Sequence, residues 1–200
     1  MLDVSNLKKI TEKNKTVLIR FDLNVPLNSI DDYISDRIIR IKKPVLNLLH
    51  ENHKVIILSH LGRPNGEIKD ELSLQQVVPQ LEKVLEKKIN FFPDCVGSEI
   101  KDKINSLEYG TVILLENCRF YKEEEENDHD FAKQLSELAD VYVNDAFACS
   151  HRAHASIEAI SHFMPSYCGD LLEEEIINLQ EVIHEPVSYT HLRAHETDHD

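Results

Sequence analysis

The sequence predicts an α/β fold built on a mostly parallel central sheet, and three observations carry that prediction. Five apolar runs of strand length recur along the 200 residues. Helical periodicities fill the intervals between them. Arginines and histidines gather where the runs end.

The runs are "TVLIRF" (16–21), "KVIILSH" (54–60), "INFFP" (89–93), "TVILLE" (111–116) and "VYVNDAF" (141–147). They are rich in Val and Ile and nearly unbroken by polar residues, as strands buried on both faces are. After the first run, Ile38, Ile41, Val45 and Leu48 share one helical face. Pro44 sits among them and, lacking an N–H, should kink or restart that helix. Ser73 and Gln76 have capping-box spacing, opening a helix that buries Val77, Leu81, Val84 and Leu85. Asp128 can cap a helix carrying Phe131, Leu135 and Leu138. Leu172, Ile176, Leu179 and Ile183 mark a last amphipathic helix. Strands alternating with helices make βαβ units, hence a sheet covered on both faces. No repeat of solenoid period stands out.

A chain of this length with 42% hydrophobic residues folds as one large domain or two small ones. Its formal charge of −14 argues against nucleic-acid or anionic membrane partners, whose phosphates the summed field would repel. No apolar stretch reaches bilayer length, and "MLDVSNLKKITEKNK" lacks a signal peptide's hydrophobic segment. Cys95, Cys118, Cys149 and Cys168 form no CxxC pair, so reduced thiols in a cytoplasmic protein are expected. The stretch "VSYTHLRAHETDHD" (187–200) places His191, His195 and His199 at i, i+4, i+8, a spacing that could bind metal on a helix. It has no usable periodicity and resembles a translated sequencing-adapter sequence. It is therefore read as an artefactual, non-native tail.

Ligands of open parallel sheets sit outside the carboxyl ends of the strands. Arg20 ends the first run and Arg37 opens the helix after it. Arg63 follows the second, Arg119 the fourth and Arg152 the fifth, whereas Arg40 lies on a helix body. His60, His151 and His154 share the same edge. Guanidinium groups match phosphate and carboxylate oxygens two at a time, so this clustering predicts a site for a small polyanion. Singly, each arginine is as well explained by pairing with an acid such as those in "EEEE" (123–126).

Other chemistries are weaker. Asp22 and Asn24 in "RFDLNVP" either meet substrate hydroxyl and carboxylate groups or stabilise a local Asx turn. Gly62 and Gly66 in "SHLGRPNG" allow close backbone approach or a turn. There is no Walker loop and no GxGxxG, so dinucleotide binding is poorly supported. His151 and His154 share a helix face at i, i+3, but too few further ligands stand near, and no metal is expected. Asp145 reads as a strand-end hydrogen-bonding residue, the "KEEEEND" run as solvated, and the cysteines as structural.

"RFDLNVPL", "SHLGRPNG", "LLENCRF" and "VYVNDAFACSHRAHAS" together resemble, in order and spacing, the motifs of the N-terminal domain of phosphoglycerate kinases, over about residues 1–186. Leu23, Cys118 and the Cys149–Ser150 pair depart from the usual pattern without removing a charge. The resemblance implies two Rossmann-like three-layer domains joined by a helical hinge. The first (1–170) binds 3-phosphoglycerate, and 171–186 begins the hinge. It implies reversible phosphoryl transfer between 1,3-bisphosphoglycerate and ADP, giving 3-phosphoglycerate and ATP. Magnesium–nucleotide would bind a second domain, missing here, so the fragment is expected to be inactive alone, monomeric and without cofactor. Asp22 and Asn24, with Leu23 between them, would hold the substrate's hydroxyl and carboxylate end. His60, Leu61, Gly62, Arg63, Arg119 and Arg152 would surround the 3-phosphate. Arg37 would face the transferring phosphoryl group, and Arg20, His151 and His154 would form a supporting basic patch. The alternative is a non-catalytic anion-binding domain of the same architecture.

Overall fold

The structure, a computed structural model, describes residues 10, 12–26 and 34–184. Among them lie six strands: β1 Thr16–Arg20, β2 Lys54–Leu58, β3 Ile89–Phe92, β4 Val112–Leu115, β5 Val141–Asn144 and β6 Ser166–Cys168. They form one sheet in the order β3-β4-β2-β1-β5-β6, and every neighbouring pair is parallel. The five expected runs become the first five strands. The sixth, "SYC", has only three residues and no apolar run to announce it.

Alternate residues of the central strands enter two separate cores. Val17, Ile19, Val55, Ile57, Val112 and Leu114 face one side, packing against the helices α1 Asp36–Arg40, α2 Lys42–His50 and α3 Val78–Leu85. Leu18, Ile56, Leu58, Ile113 and Leu115 face the other. There they meet α4 Ser98–Ser106, α6 His129–Ser136 and the 3₁₀ turn Ala159–His162. This is the three-layer α/β arrangement, and unbroken Val/Ile runs are what a strand buried on both faces requires.

Local sequence sets the helix ends. The α1–α2 helix breaks at Ile41, three residues before Pro44, which then lies in the first turn of α2 where a missing N–H costs little. Asp128 caps α6 as expected, its Oδ1 accepting from Phe131 N at 2.7 Å. Ser73 caps a 3₁₀ turn, Leu74–Val77, rather than an α-helix, and the capping box is only half formed. The Ser73 N–H already donates to the Asp70 carbonyl, so Gln76 turns its amide to Asp70 O at 3.0 Å instead.

The last helix, α7 Asp170–His184, is seated on β5. Asp145, just past that strand, accepts from Leu172 N at 2.9 Å, so it hydrogen-bonds within the first turn of α7. An added Cβ at Gly169 would lie 2.2 Å from Asp145 Cγ, leaving room for no side chain there. Arg40 reaches Glu174 and Glu175 at 3.3 and 3.0 Å. Beyond Leu172 the helix is poorly covered: Ile176 is half-buried, Leu179 on the same stripe is 48% exposed, and Ile177 off the stripe is 47% exposed. The side chain of Ile183 and the whole 187–200 segment lie outside the described residues.

Candidate functional site: a basic cradle at the strand ends

Loops leaving β1, β2, β4 and β5 meet at the carboxyl edge of the sheet, and Arg20 forms the floor between them. Its side chain is fully buried, yet all three guanidinium nitrogens find acceptors. Nε donates to Ser156 Oγ (3.1 Å), Nη1 to the Phe21 carbonyl (2.5 Å), and Nη2 to His60 Nδ1 (3.0 Å). Because a guanidinium only donates, His60 Nδ1 must be the lone-pair nitrogen, and the ring proton sits on Nε2. Burial, reinforced by Arg20 and Arg119, pushes His60 down to about 2, so it is a neutral donor.

The counter-charge to Arg20 comes from Glu124 on the short helix α5 Lys122–Glu125, one of the acids expected to be solvated. That expectation is wrong for this residue: its exposure is 0%. Its carboxylate accepts from Ser156 Oγ (2.5 Å) and Ser156 N (2.9 Å), while its carbonyl accepts from Ala155 N (2.9 Å). A buried carboxylate persists only when paired and hydrogen-bonded, and here the "HRAHAS" segment supplies the donors.

The wall is less complete. Asn117 fixes it by donating to the Leu61 and Leu72 carbonyls (2.7 and 2.9 Å) and accepting from Arg119 N (3.1 Å). Arg119 is 3% exposed and spends Nη1 on the Gly62 carbonyl at 3.2 Å. Its Nε and Nη2 are buried without a hydrogen-bond partner. Glu125 stands 3.5 Å from Nε, an ion-pair distance that falls short of hydrogen-bond geometry. His154 Nδ1 is likewise buried and unpartnered, 3.9 Å from Glu124.

At the rim, Asn24 Oδ1 accepts from Gly62 N at 2.8 Å, tying the first loop to the second. Gly62 has φ +63°, a left-handed conformation in which an added Cβ would meet Leu72 Cδ2 at 2.7 Å. Asp22 accepts from Asn24 N, forming the Asx turn, and from Arg37 Nη1 at 2.5 Å. Arg63 is exposed and has no ion pair or hydrogen bond among the described residues, and Arg152 is exposed with His151 (3.2 Å) as its partner.

The sequence-derived set therefore separates. Arg20, Asp22, Asn24, His60, Gly62, Arg119 and His154 converge through direct contacts or shared charge effects. Arg37 joins through Asp22, and Arg63, His151 and Arg152 lie at the exposed rim. Leu23 and Leu61 stand on the same loops, but their side chains, 0% and 2% exposed, belong to the core, so only their backbone faces this edge. Sequence reasoning missed Asn117, Glu124, Ser156 and also Ser59, whose Oγ accepts from Leu23 N (2.9 Å) and donates to the Phe21 carbonyl (2.8 Å), tying the first loop to the end of β2. All four stood in stretches already quoted, "SHLGRPNG", "LLENCRF", "EEEE" and "HRAHAS", but their uncharged or acidic side chains were passed over in favour of the basic ones.

Open volume is found to one side. A cleft of about 180 Å³ between α1, α7 and the loop after β5 is lined by Asp22, Arg37, Arg40 and Asp145. It omits His60 and Arg119, and the unpaired donors of Arg119 identify the cradle better than empty space does. Burial raises Asp145 to about 7. Asp22, His60 and Cys149 bring possible ligand atoms within 4.8 Å of one another. They do not suit magnesium, which takes oxygen ligands, and His60 Nδ1 faces an arginine rather than the acceptor that orients a metal-bound histidine. Burial raises the thiols of Cys118 and Cys149, which makes them poor nucleophiles and fits a structural role.

The family model described as Phosphoglycerate kinase matches residues 7–191. The chain belongs to the phosphoglycerate kinase family. It is 46% identical over 183 residues to the phosphoglycerate kinase of Wolbachia pipientis from Culex pipiens, covering 92% of this chain and 46% of that one. Identity to the phosphoglycerate kinase of Moorella thermoacetica is also 46%, over 182 residues. Among solved structures, phosphoglycerate kinase from Pyrococcus horikoshii OT3 superposes with a TM-score of 0.81 at 31% identity, covering 92% of this chain and 47% of that one. The Coxiella burnetii phosphoglycerate kinase gives 0.77 at 34%, with 92% and 46% covered. The chain spans about half the length of the curated relatives it matches.

Proposed function

We propose that residues 1–170 form the 3-phosphoglycerate-binding domain of a phosphoglycerate kinase, with 171–186 opening the connection to a second domain and 187–200 foreign to the fold. The observation that carries this reading is Arg119: a buried guanidinium with two donors unpaired, beside a neutral His60, in a chain of this family. Buried donors left without a hydrogen bond are costly, and a phosphate dianion is a partner that would satisfy them. Arg63 and Arg152 at the rim would meet the anion first. Arg119 and His60 Nε2 would then close on it as the neighbouring side chains part.

Asp22 and Asn24 would bond the hydroxyl and carboxylate end, and Arg37, tethered to Asp22, would neutralise oxygens of the phosphoryl group in flight. Phosphoryl transfer asks for such positioning and charge neutralisation and needs no protein nucleophile. Magnesium–nucleotide supplies the other reactant, and the basic cradle suits neither the metal nor a second polyphosphate. We therefore assign nucleotide binding to a part of the enzyme outside this chain. No helix among the described residues is long and apolar enough to cross a membrane. A monomer in the cytoplasm is proposed.

Calorimetry decides between this reading and a general anion-binding domain. The chain should bind 3-phosphoglycerate in preference to inorganic phosphate and sulfate, without forming ATP from 1,3-bisphosphoglycerate and ADP. Equal affinity for all three anions would favour the alternative, and ATP formation would show that the chain is sufficient by itself.

A further inference from the structure

We propose that Glu124 positions His154 so that docking of a phosphate dianion draws one proton from solvent onto His154, which then bridges the anion and the Glu124 carboxylate. This rests on the 3-phosphoglycerate reading above and adds a proton to it.

The geometry starts from His154 Nδ1, buried and unpartnered, 3.9 Å from Glu124 Oε1. That separation is too long for a hydrogen bond and short enough for one to form with a small ring movement. Glu124 cannot swing away, because Ser156 N, Ser156 Oγ and Ala155 N all hold it to the segment that carries His154. The Ser156 hydroxyl donates to Glu124 and accepts the Arg20 Nε–H, so the carboxylate stands at the end of a chain that leads to a guanidinium.

The groups that bear on His154 come from every element around it. Glu124 and Glu125 on α5 favour its charge; Arg119 and Arg152 oppose it, while the neutral His60 adds no charge. Burial outweighs the two acids, so the free ring is held below the usual histidine range. A dianion against Arg119 and Arg152 cancels the opposing charges and leaves the two glutamates unopposed. The balance then favours imidazolium. His60 cannot take this part, because Arg20 already donates to its Nδ1 and a second proton there would meet that N–H head-on.

The test is a titration of the whole chain, with ¹⁵N-labelled histidine rings and His154 assigned through His154→Gln. At pH 7.5, where the phosphate is a dianion, the His154 ring should read as neutral in the free chain and protonated when saturated with 3-phosphoglycerate. Calorimetry in two buffers of different ionisation heat should register uptake of about one proton per ligand bound, with affinity falling up to about tenfold per pH unit between the pKa of the free ring and that of the complex and levelling off above the latter. Glu124→Gln should abolish most of the uptake while leaving saturable binding. A ligand that binds while His154 stays neutral overturns the inference and leaves the substrate reading intact. Absence of any saturable binding removes both. If Glu124→Gln does not fold, the ring signal of the unsubstituted chain still decides.

Discussion

Two buried arginines, about as deep as each other, line the same cradle and are handled in opposite ways. On the floor, Arg20 is matched donor for acceptor to Ser156, Phe21, His60 and, through Ser156, to Glu124. On the wall, Arg119 has one satisfied nitrogen and two orphans. Burial of a charged group is therefore no mark of ligand binding in itself. The mark is a buried donor that the fold has left unpaired, since a fold that only needed stability would have paired it.

Replacement of each arginine by methionine tests that contrast most severely. Arg20→Met strands Glu124 in the interior without a counter-charge and should cost about 3–5 kcal/mol in denaturant unfolding, which could leave the chain unfolded. Arg119→Met removes a charge that nothing fully compensates, and stability should stay within about 1 kcal/mol. Its 3-phosphoglycerate affinity, by contrast, should drop at least about thirtyfold, the lower end of the 2–5 kcal/mol range for a buried charge pair losing one member. Equal stability losses in the two variants would erase the distinction between floor and wall.

Acid sharpens it next. His60 cannot accept a proton in the folded state until about pH 2, whereas the unfolded chain takes one up near the ordinary value of 6.5. The unfolded state thus binds more protons below pH 6.5, and stability falls as pH falls. Going from pH 7 to 5 should cost about 2 kcal/mol from this group, and His60→Gln should flatten that slope. An unchanged slope would mean that the Arg20–His60 bond does not hold the ring neutral. The smallest change is expected at the rim: Arg63→Ala should leave stability within about 0.5 kcal/mol. Loss of its charge should weaken 3-phosphoglycerate about tenfold, chiefly at low salt.

The same contrast explains what the sequence disclosed. Strands β1 to β5 were legible because burial on both faces demands uninterrupted Val and Ile. Strand β6 was not, because three residues at a sheet edge carry no such demand. The gathering of Arg20, Arg119 and Arg152 around His60 was legible from topology, since each lies at or follows the end of a strand. The division between Arg20 and Arg119 was not, because it depends on acceptors far away in sequence, Ser156 for one and none for two nitrogens of the other. Glu124 was hidden for a related reason: among four consecutive glutamates, only the helical phase of α5 decides which one points inward, and that helix is a single turn. Leu23 and Leu61 lie on the loops read as lining the site, but their side chains turn into the core.

The contact between Asp145 and Gly169 makes positions 145 and 169 one inheritable unit. Alanine at 169 meets the Asp145 carboxylate at 2.2 Å and the Asp145 Cβ at 2.5 Å and should be rejected; serine at 145 would keep that second clash, and only glycine at 145 removes both. Any redesign of this junction has to move both letters at once, and a double-mutant cycle showing simple additivity would refute that linkage.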